Sequence, residues 1–467
     1  MKSSNTSKHQ TRKNVELKNI HTIYFVGIGG IGMSALARYF RQQGANVHGY
    51  DRTASALTRA LQDEGMHVHY EDKPDMIPAG VDLAVYTPAV PADLAELEFF
   101  RANNIPLVKR AEVLGIISRS KYSIAVGGTH GKTSTTSMTA HLLRACGVDA
   151  TAFVGGLAPN LGNSNYAEGS SDWVVVEADE YDRSFLHLHP DVAVINAIDP
   201  DHLDIYGSAE AVRDSYTQFA RQVKPGGKLL LKTGLDLAEN LPAVRFGIDY
   251  GDCRATNLRI ETGYTVFDLT LDGAMLEMYF DSLKLPFPGR HNVENACAAI
   301  AAALLAGADP KHIPAALADF KGVKRRFEYI LRSENTVYID DYAHHPAELE
   351  AVIGAARSLY PNKLLSVVFQ PHLYSRTRDF AEGFAEALDK VDVLYLLDIY
   401  PAREQPIEGV DAFTITNTMH KAKVIYCTMN NVVELICRDK PHLLLSFGAG
   451  SIENLVEPIK NALENQH

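Results

Sequence analysis

The chain has 467 residues, 46% of them hydrophobic and 22% charged, an ordinary balance for a globular protein and too long for a single core. A net charge of -12 argues against nonspecific nucleic-acid binding, and an anionic substrate would need a local basic pocket. No window approaches the ~20 apolar residues of a membrane-spanning helix.

Length suggests about three domains. Met1 to Asn19 is polar and basic without an apolar stretch, so it is not a secretory signal and reads as a disordered tail. The cysteines (Cys146, Cys253, Cys297, Cys427 and Cys437) are scattered, with no close pair for zinc, and fit a reducing, cytoplasmic compartment.

The first unit opens with an apolar strand, Ile20 to Val26, that enters Gly27-Ile28-Gly29-Gly30-Ile31-Gly32. A helix from Met33 to Gln43 follows, Gly44 ends it, and a second strand, Val47 to Tyr50, leads to Asp51. Gly27, Gly29 and Gly32 match the dinucleotide fingerprint of a Rossmann-like βαβ unit, with Asp51 about 20 residues on. The pattern places a pyrophosphate on a helix N-terminus without saying whose: NAD and other diphosphates fit equally. A strand from Leu83 to Thr87 and a helix from Asp93 to Asn103 continue the unit.

The second unit begins near Lys121. A short strand, Tyr122 to Val126, runs into Gly127-Gly128-Thr129-His130-Gly131-Lys132-Thr133-Ser134, and a helix then runs to Cys146 and Gly147. This is the layout of a phosphate cradle, in which glycines expose backbone N–H groups and the helix N-terminus adds partial positive charge. Lys132 is placed for the β- and γ-phosphates and Thr133 for magnesium. The common eight-residue pattern would have glycine at position 126, where Val126 stands, so a glycine turn before a core helix is the competing reading. The apolar strand Trp173 to Val176 ends in Glu177-Ala178-Asp179-Glu180, where α/β proteins keep their ligands. Glu177 can complete a magnesium site with Thr133; the alternative is a solvated acidic loop. Val192 to Ile195 ends in Asp199-Pro200-Asp201-His202-Leu203-Asp204, where His202 among aspartates suggests a second metal or phosphate contact. Zinc is less well supported there, because no thiolate or second histidine has suitable spacing.

Residues 226 to 285 alternate as strands do, for example Val266 to Leu271 and Met275 to Phe280. An alanine-rich helix then spans Ala296 to Ala306. Asn292 is equally an N-cap, and Asn295 equally part of an exposed polar face, unless both point at a nucleotide. In the third unit, Asp340-Asp341-Tyr342-Ala343-His344-His345, Gln370-Pro371-His372, Asp398-Ile399-Tyr400 and Gly448-Ala449-Gly450 each follow an apolar strand, which suggests one ligand-facing edge of a second parallel sheet. Arg376 and Arg378 could grip a carboxylate or phosphate; for Arg378 surface charge is an equal alternative.

Taken together, these motifs resemble the Mur ligases of peptidoglycan synthesis over nearly the whole chain, from Gly27 to about Leu455. The Gly128–Thr133 loop looks like the family's ATP loop, which accounts for its spacing. Glu177, His202, Asn292, Asn295, Arg326 and Asp341 fall on the family's pattern in order, and Asp341 to Pro346, Phe369 to Thr377 and Tyr400-Pro401-Ala402 look like the alanine-adding branch. One departure is Ala197, where the family usually has asparagine; Asn196 stands one residue earlier.

The resemblance implies an α/β protein of three domains after the tail: a Rossmann-like UDP-sugar domain (20–118), a P-loop ATPase-like central domain (119–325) and a Rossmann-like C-terminal domain (326–467). It implies ATP-dependent ligation of L-alanine to the lactyl carboxylate of UDP-N-acetylmuramate through an acyl phosphate. Gly27, Gly29, Gly30, Ile31, Gly32, Asp51 and Thr87 would then bind the UDP-sugar. Gly128, Thr129, His130, Gly131, Lys132, Thr133, Ser134, Asn292, Asn295, Arg326 and Asp341 would bind ATP. Thr133, Glu177 and His202 would hold magnesium, and Tyr342, His344 and Arg376 would line the alanine pocket. Lys132, Glu177, His202, Arg326 and Asp341 form the catalytic set. Neither nucleic acid nor membrane insertion is expected. The competing readings are the related ligase that recycles murein tripeptide, disfavoured by the Arg325–Glu328 and Asp201–Tyr206 segments; an NAD-dependent oxidoreductase, which leaves Lys132, Glu177 and His202 without a task; and a non-catalytic nucleotide-binding regulator.

Overall fold

The computed structural model describes residues 17–200, 203–261, 263–273, 277–333, 335–402 and 404–464. His202, most of the expected N-terminal tail, and residues 275 and 276 of the expected Met275–Phe280 strand lie outside them. The described chain forms two compact units that divide between Ser120 and Lys121.

The N-terminal unit carries a five-stranded, all-parallel sheet. Its order is His67–His69, Asn46–Tyr50, Thr22–Val26, Leu83–Tyr86, Leu107–Lys109. The order reverses on either side of Thr22–Val26, which places a crevice at the carboxyl end of that strand. Gly27 and Ile28 turn the chain there, both donating to the Tyr50 carbonyl, before helix Ile31–Gln42. Tyr24, Val26, Ala84 and Phe100 pack the core on one face of the sheet.

The second unit contains two sheets. The ten-stranded sheet runs Met278–Leu285, Tyr264–Leu271, Cys253–Glu261, Val244–Ile248, Lys228–Lys232, Val192–Ile195, Tyr122–Gly127, Trp173–Glu177, Thr151–Ala158, Ser164–Ala167. Strands from Val244–Ile248 through Thr151–Ala158 pair in parallel, Cys253–Glu261 joins them in parallel, and antiparallel hairpins extend both edges. Helix Arg290–Leu305 is buried on nearly all sides and packs on Lys132–Ala145. Its run of alanines lets two helices and a sheet approach closely, at almost no cost in side-chain entropy. The helix begins earlier than its alanine run: Gly289 is the N-cap, and Asn292 lies inside the helix, donating its amide to the Pro288 carbonyl at 2.7 Å. The N-cap reading of Asn292 is therefore corrected.

The six-stranded sheet runs Glu328–Arg332, Val337–Asp341, Leu443–Phe447, Leu365–Phe369, Val393–Leu396, Lys423–Tyr426, parallel except for its first pair. Alternation along each strand divides its apolar residues between two cores. Ile339, Val367 and Leu445 face one, and Tyr338, Val368 and Leu444 the other. Each fully buried large apolar side chain contributes roughly 1.5–3 kcal/mol.

Candidate nucleotide site

In the N-terminal unit the Gly29 N–H donates to Asp51 Oδ2 at 2.8 Å, and the Thr53 N–H donates to Oδ1 at 3.1 Å. Asp51 thus pins the glycine loop to the end of the second strand. Gly30 caps helix Ile31–Gln42 without a side chain, leaving the helix N-terminus open to an anion. A Cβ at Gly32 would lie 2.1 Å from Arg110 Nη1, so the missing side chain lets a guanidinium rest against that terminus. The sequence gives no reason to single out Arg110. Thr87 follows strand Leu83–Tyr86, and its methyl lies 3.4 Å from where a Gly27 Cβ would be.

In the second unit the loop after Tyr122–Gly127 ends at Gly131, the N-cap of helix Lys132–Ala145. Gly131 has φ of 78°, and a Cβ there would lie 2.6 Å from Asn295 Oδ1. Both the left-handed backbone and the close approach require glycine. Thr129 fastens the loop to the next strand end: its N–H donates to the Ala197 carbonyl, and its hydroxyl accepts from the Asp199 N–H at 3.0 Å.

Lys132 Nζ donates to the Gly128 carbonyl at 2.7 Å and to Glu180 at 2.8 Å. Burial works against its charge, but the carboxylates of Glu180, Glu177 and Asp179 outweigh it and raise the pKa. Thr133 Oγ1 donates to Glu177 Oε1 at 3.0 Å, and the Gly155 N–H donates to Oε2 at 2.8 Å. Burial raises the Glu177 pKa despite Lys132 nearby. Glu177 is therefore tied into the loop rather than set in a solvated acidic turn. A hydroxyl and a carboxylate in contact, beside a phosphate loop, are the hard oxygen donors that magnesium takes.

A cavity of about 280 Å³ opens beside the loop. His130, Gly131, Thr133, Ser134, Asn292, Asn295, Arg326 and Asp341, eight of the expected ATP-site residues, line it. Phe246, Phe287 and Phe320 supply aromatic wall, and Asn196, Lys232 and His291 add polar groups. Burial, with Lys232 and Arg326 nearby, lowers the His291 pKa to about 4, so its imidazole is neutral. Asn295 is buried, not part of an exposed face. Asn196 donates its amide to Thr135 Oγ1 at 2.9 Å and lines the same cavity. An asparagine is therefore present at this strand end although Ala197 occupies the family's usual position.

Arg326 and Asp341 come from the linker and first parallel strand of the smaller sheet. Asp341 accepts from the Phe327 N–H at 2.7 Å and the Ala343 N–H at 2.8 Å. Arg325 and Phe327 have φ of 59° and 48°, a left-handed backbone costly for side-chain-bearing residues. Asp341 and the Arg325–Asp340 ion pair at 2.8 Å hold that linker in place. Burial raises the Asp341 pKa to about 6 against the pull of Arg326.

The three expected alanine-side residues do not line this cavity. The Tyr342 ring lies 5.3 Å from both the Arg325 and Arg326 guanidinium carbons. His344 Nδ1 contacts the Tyr342 carbonyl at 2.9 Å, and the His344 ring lies 6.0 Å from His372, which stacks on Tyr400. Arg376 is buried, with Nη1 3.5 Å from His372 Nδ1. Arg378 is exposed and pairs with its neighbour Asp379.

Family profiles match three consecutive stretches: "Mur ligase family, catalytic domain" over 22–122, "Mur ligase middle domain" over 126–303, and "Mur ligase, glutamate ligase domain" over 325–449. The chain belongs to the Mur ligase family. This Mur ligase is 46% identical over 454 residues to the UDP-N-acetylmuramate–L-alanine ligase of Christiangramia forsetii, covering 96% of this chain and 99% of the relative. It is 43% identical to the enzyme of the same name from Cytophaga hutchinsonii, covering 97% and 99%. Among solved structures, the UDP-N-acetylmuramate–alanine ligase of Thermotoga maritima superposes with a TM-score of 0.82 at 29% identity, covering 96% of this chain and 100% of that one. The murein peptide ligase of Psychrobacter arcticus shares the fold, with a TM-score of 0.70 at 23% identity, covering 95% and 99%. No helix among the described residues is long and apolar enough to cross a membrane.

Proposed function

We propose that this Mur ligase joins L-alanine to the lactyl carboxylate of UDP-N-acetylmuramate, converting ATP to ADP and phosphate. The observation that carries the phosphoryl-transfer half is that Thr133 lines the cavity together with Asn292, Asn295, Arg326 and Asp341 and donates to Glu177, beside the Lys132 cation. The choice of acceptor and sugar nucleotide rests on the full-length relatives of that name. The division at 118/119 and 325/326 follows the same reading.

The Gly27–Gly32 loop would hold the diphosphate of the UDP-sugar on the open helix N-terminus, with Asp51 and Thr87 as further contacts to the UDP-sugar. The aromatic wall and the two asparagines would take the adenosine of ATP, and residues Gly128 to Ser134 its phosphates. A carboxylate at neutral pH is a poor electrophile. Its oxygen attacks the γ-phosphorus, the bond to the bridging oxygen of ADP breaks, and an acyl phosphate results. The amine of alanine then attacks the acyl carbon as the free base, loses a proton, and expels inorganic phosphate. Lys132, a retained cation, would offset the charge between the triphosphate and the attacking carboxylate. Thr133 and Glu177 would hold magnesium, with His202 as a further ligand; the ion would neutralise phosphate oxygens. Arg326 and Asp341 would fix the linker over the nucleotide, and Tyr342, His344 and Arg376 would form the amino-acid side.

Phosphate release from ATP with magnesium and UDP-N-acetylmuramate tests this, with L-alanine compared against glycine, serine, murein tripeptide and no acceptor. The expected result is release with L-alanine and a product mass of UDP-muramyl-alanine. Release with the tripeptide alone would move the chain to the recycling branch. Lys132→Ala should fold and lose turnover by about 100-fold or more, the scale of removing one aligned charge-stabilising donor. Near-normal turnover in that variant would remove the loop from the mechanism.

A further inference from the structure

We propose that Glu348 is the positioning residue that fastens the C-terminal segment onto the phosphate loop, acting through His130, so that the loop is set for ATP only when that segment lies over the cavity. The inference rests on the ATP reading above.

Glu348 belongs to the first turn of helix Pro346–Leu359, 218 residues from His130 in the chain. Its Oε1 lies 3.2 Å from His130 Nδ1 and 3.9 Å from Arg326 Nη1. Its Oε2 accepts from the His344 N–H at 3.0 Å. The other nitrogen of His130 lies 3.2 Å from Asp199 Oδ2. One imidazole inside the phosphate loop therefore bridges a carboxylate just past a strand of the ten-stranded sheet and a carboxylate on the helix that follows a strand of the six-stranded sheet.

Both ring nitrogens face acceptors, so the bridge is complete only when both carry protons. The surroundings support this state: Asp199 and Glu348 raise the His130 pKa to about 9 against the effect of burial. His344, His130 and Arg326 hold Glu348 well below the ordinary carboxylate range, although burial pulls the other way. His130 sits between Thr129, tied to the Asp199 strand end, and Gly131, the helix N-cap. Displacing Glu348 would release the imidazole at the point where the loop meets its helix.

A local role competes with this one, since Glu348 also accepts from the N–H of His344, just ahead of its own helix. Glu348→Gln keeps an acceptor for that N–H but removes the charge facing both His130 and, at 3.4 Å, His344 Nδ1, so the double variant with His130→Asn separates the two roles. The measurement is equilibrium binding of ATP with magnesium to the full chain, for the wild type, Glu348→Gln, Glu348→Asp, His130→Asn and the Glu348→Gln/His130→Asn double variant. The expected result is affinity about tenfold weaker in Glu348→Gln and partly restored in Glu348→Asp, which keeps the charge. The double variant should be no weaker than His130→Asn within about twofold, the mark of two residues acting through one contact. Unchanged affinity in Glu348→Gln, or losses that add in the double variant, would overturn the proposal. A wild type that binds ATP yet ignores L-alanine would sink the acceptor assignment and leave the latch standing; one that does not bind ATP would remove both.

Discussion

Replacing Glu96 with glutamine should stabilise the N-terminal unit strongly at pH 8 and only slightly at pH 5. Glu96 is fully buried in the first turn of helix Ala95–Ala102. Three contacts run in series from it. Tyr24 Oη lies 2.8 Å from Glu96 Oε2 and 2.6 Å from His69 Nε2, and His69 Nδ1 lies 2.9 Å from the Glu71 carbonyl. Each contact needs one proton. A phenol and a neutral imidazole supply two, so the third belongs to the carboxyl or to a charged imidazole. Burial raises the Glu96 pKa to about 7 and lowers that of His69, which places the proton on Glu96. Asp72, which accepts the Ala95 and Glu96 N–H groups, adds a like charge that pushes Glu96 the same way.

Below pH 4.5 the carboxyl is protonated whether folded or not, and nothing is lost. Between 4.5 and about 7 the unfolded chain releases a proton that the fold retains, so stability falls as pH rises. Above that the loss is complete, at about 3 kcal/mol for the span from 4.5 to about 7. Glutamine supplies the third proton from its amide at every pH. Hydrogen exchange of strand Thr22–Val26 reads the unit directly, and the ratio of variant to wild type cancels intrinsic rates. Protection should rise by up to about a hundredfold at pH 8 and by only a few-fold at pH 5. The single tryptophan, Trp173, lies in the second unit, so its emission serves as an unchanged control. An equal ratio at both pH values would refute the retained proton.

Gly131→Ala places a Cβ 2.6 Å from Asn295 Oδ1 on a left-handed backbone, and should cost about 1–2 kcal/mol in thermal unfolding while weakening ATP binding measured by titration calorimetry. Glu177→Gln removes one anionic oxygen from the expected magnesium pair but keeps an acceptor for the Gly155 N–H. The magnesium concentration giving half-maximal turnover should rise about tenfold or more while metal-free ATP binding changes little. Asp341 becomes protonated as pH falls through about 6, which weakens its hold on Arg326 and on the Phe327 N–H, so kcat/KM for ATP should fall on that acid limb. Asp341→Asn should start from a lower plateau and lose the limb; a limb that persists in the variant would assign it to another group.

The glycine loops, the strand-end carboxylate Glu177 and the alanine-rich helix were legible because each is a local pattern: a turn that needs glycine, a strand that stops, a side chain that fits a helix. Asn295 and Arg326 were legible through the family resemblance, and the cavity lining now gives both a place. Glu348, Asp199 and Lys232 were not, because their significance lies in partners far away in the chain. Nothing near Glu348 in sequence announces that His130 lies 3.2 Å away. Glu180 was visible beside Glu177, but its ion pair with Lys132 depends on the turn between them. For Asn292 a cap and a nucleotide contact were both open, because an asparagine three residues past a glycine fits either role. The Pro288 carbonyl, which takes its amide proton, excludes the cap.

The cavity lies where the carboxyl ends of parallel strands from two mixed sheets come together. Gly131 and Asn196 follow strands of the ten-stranded sheet, and Asp341 ends a strand of the six-stranded sheet. Each sheet has its own hydrogen bonds and its own buried cores, and the linker between them is short. Its left-handed residues are held by Asp340 and Asp341 on one side and covered by the Tyr342 ring on the other. The proposed catalytic set is thus divided by construction: Lys132, Thr133 and Glu177 are assembled by one sheet alone, whereas Arg326, Asp341 and Glu348, proposed to act from the other side of the nucleotide, arrive as a group.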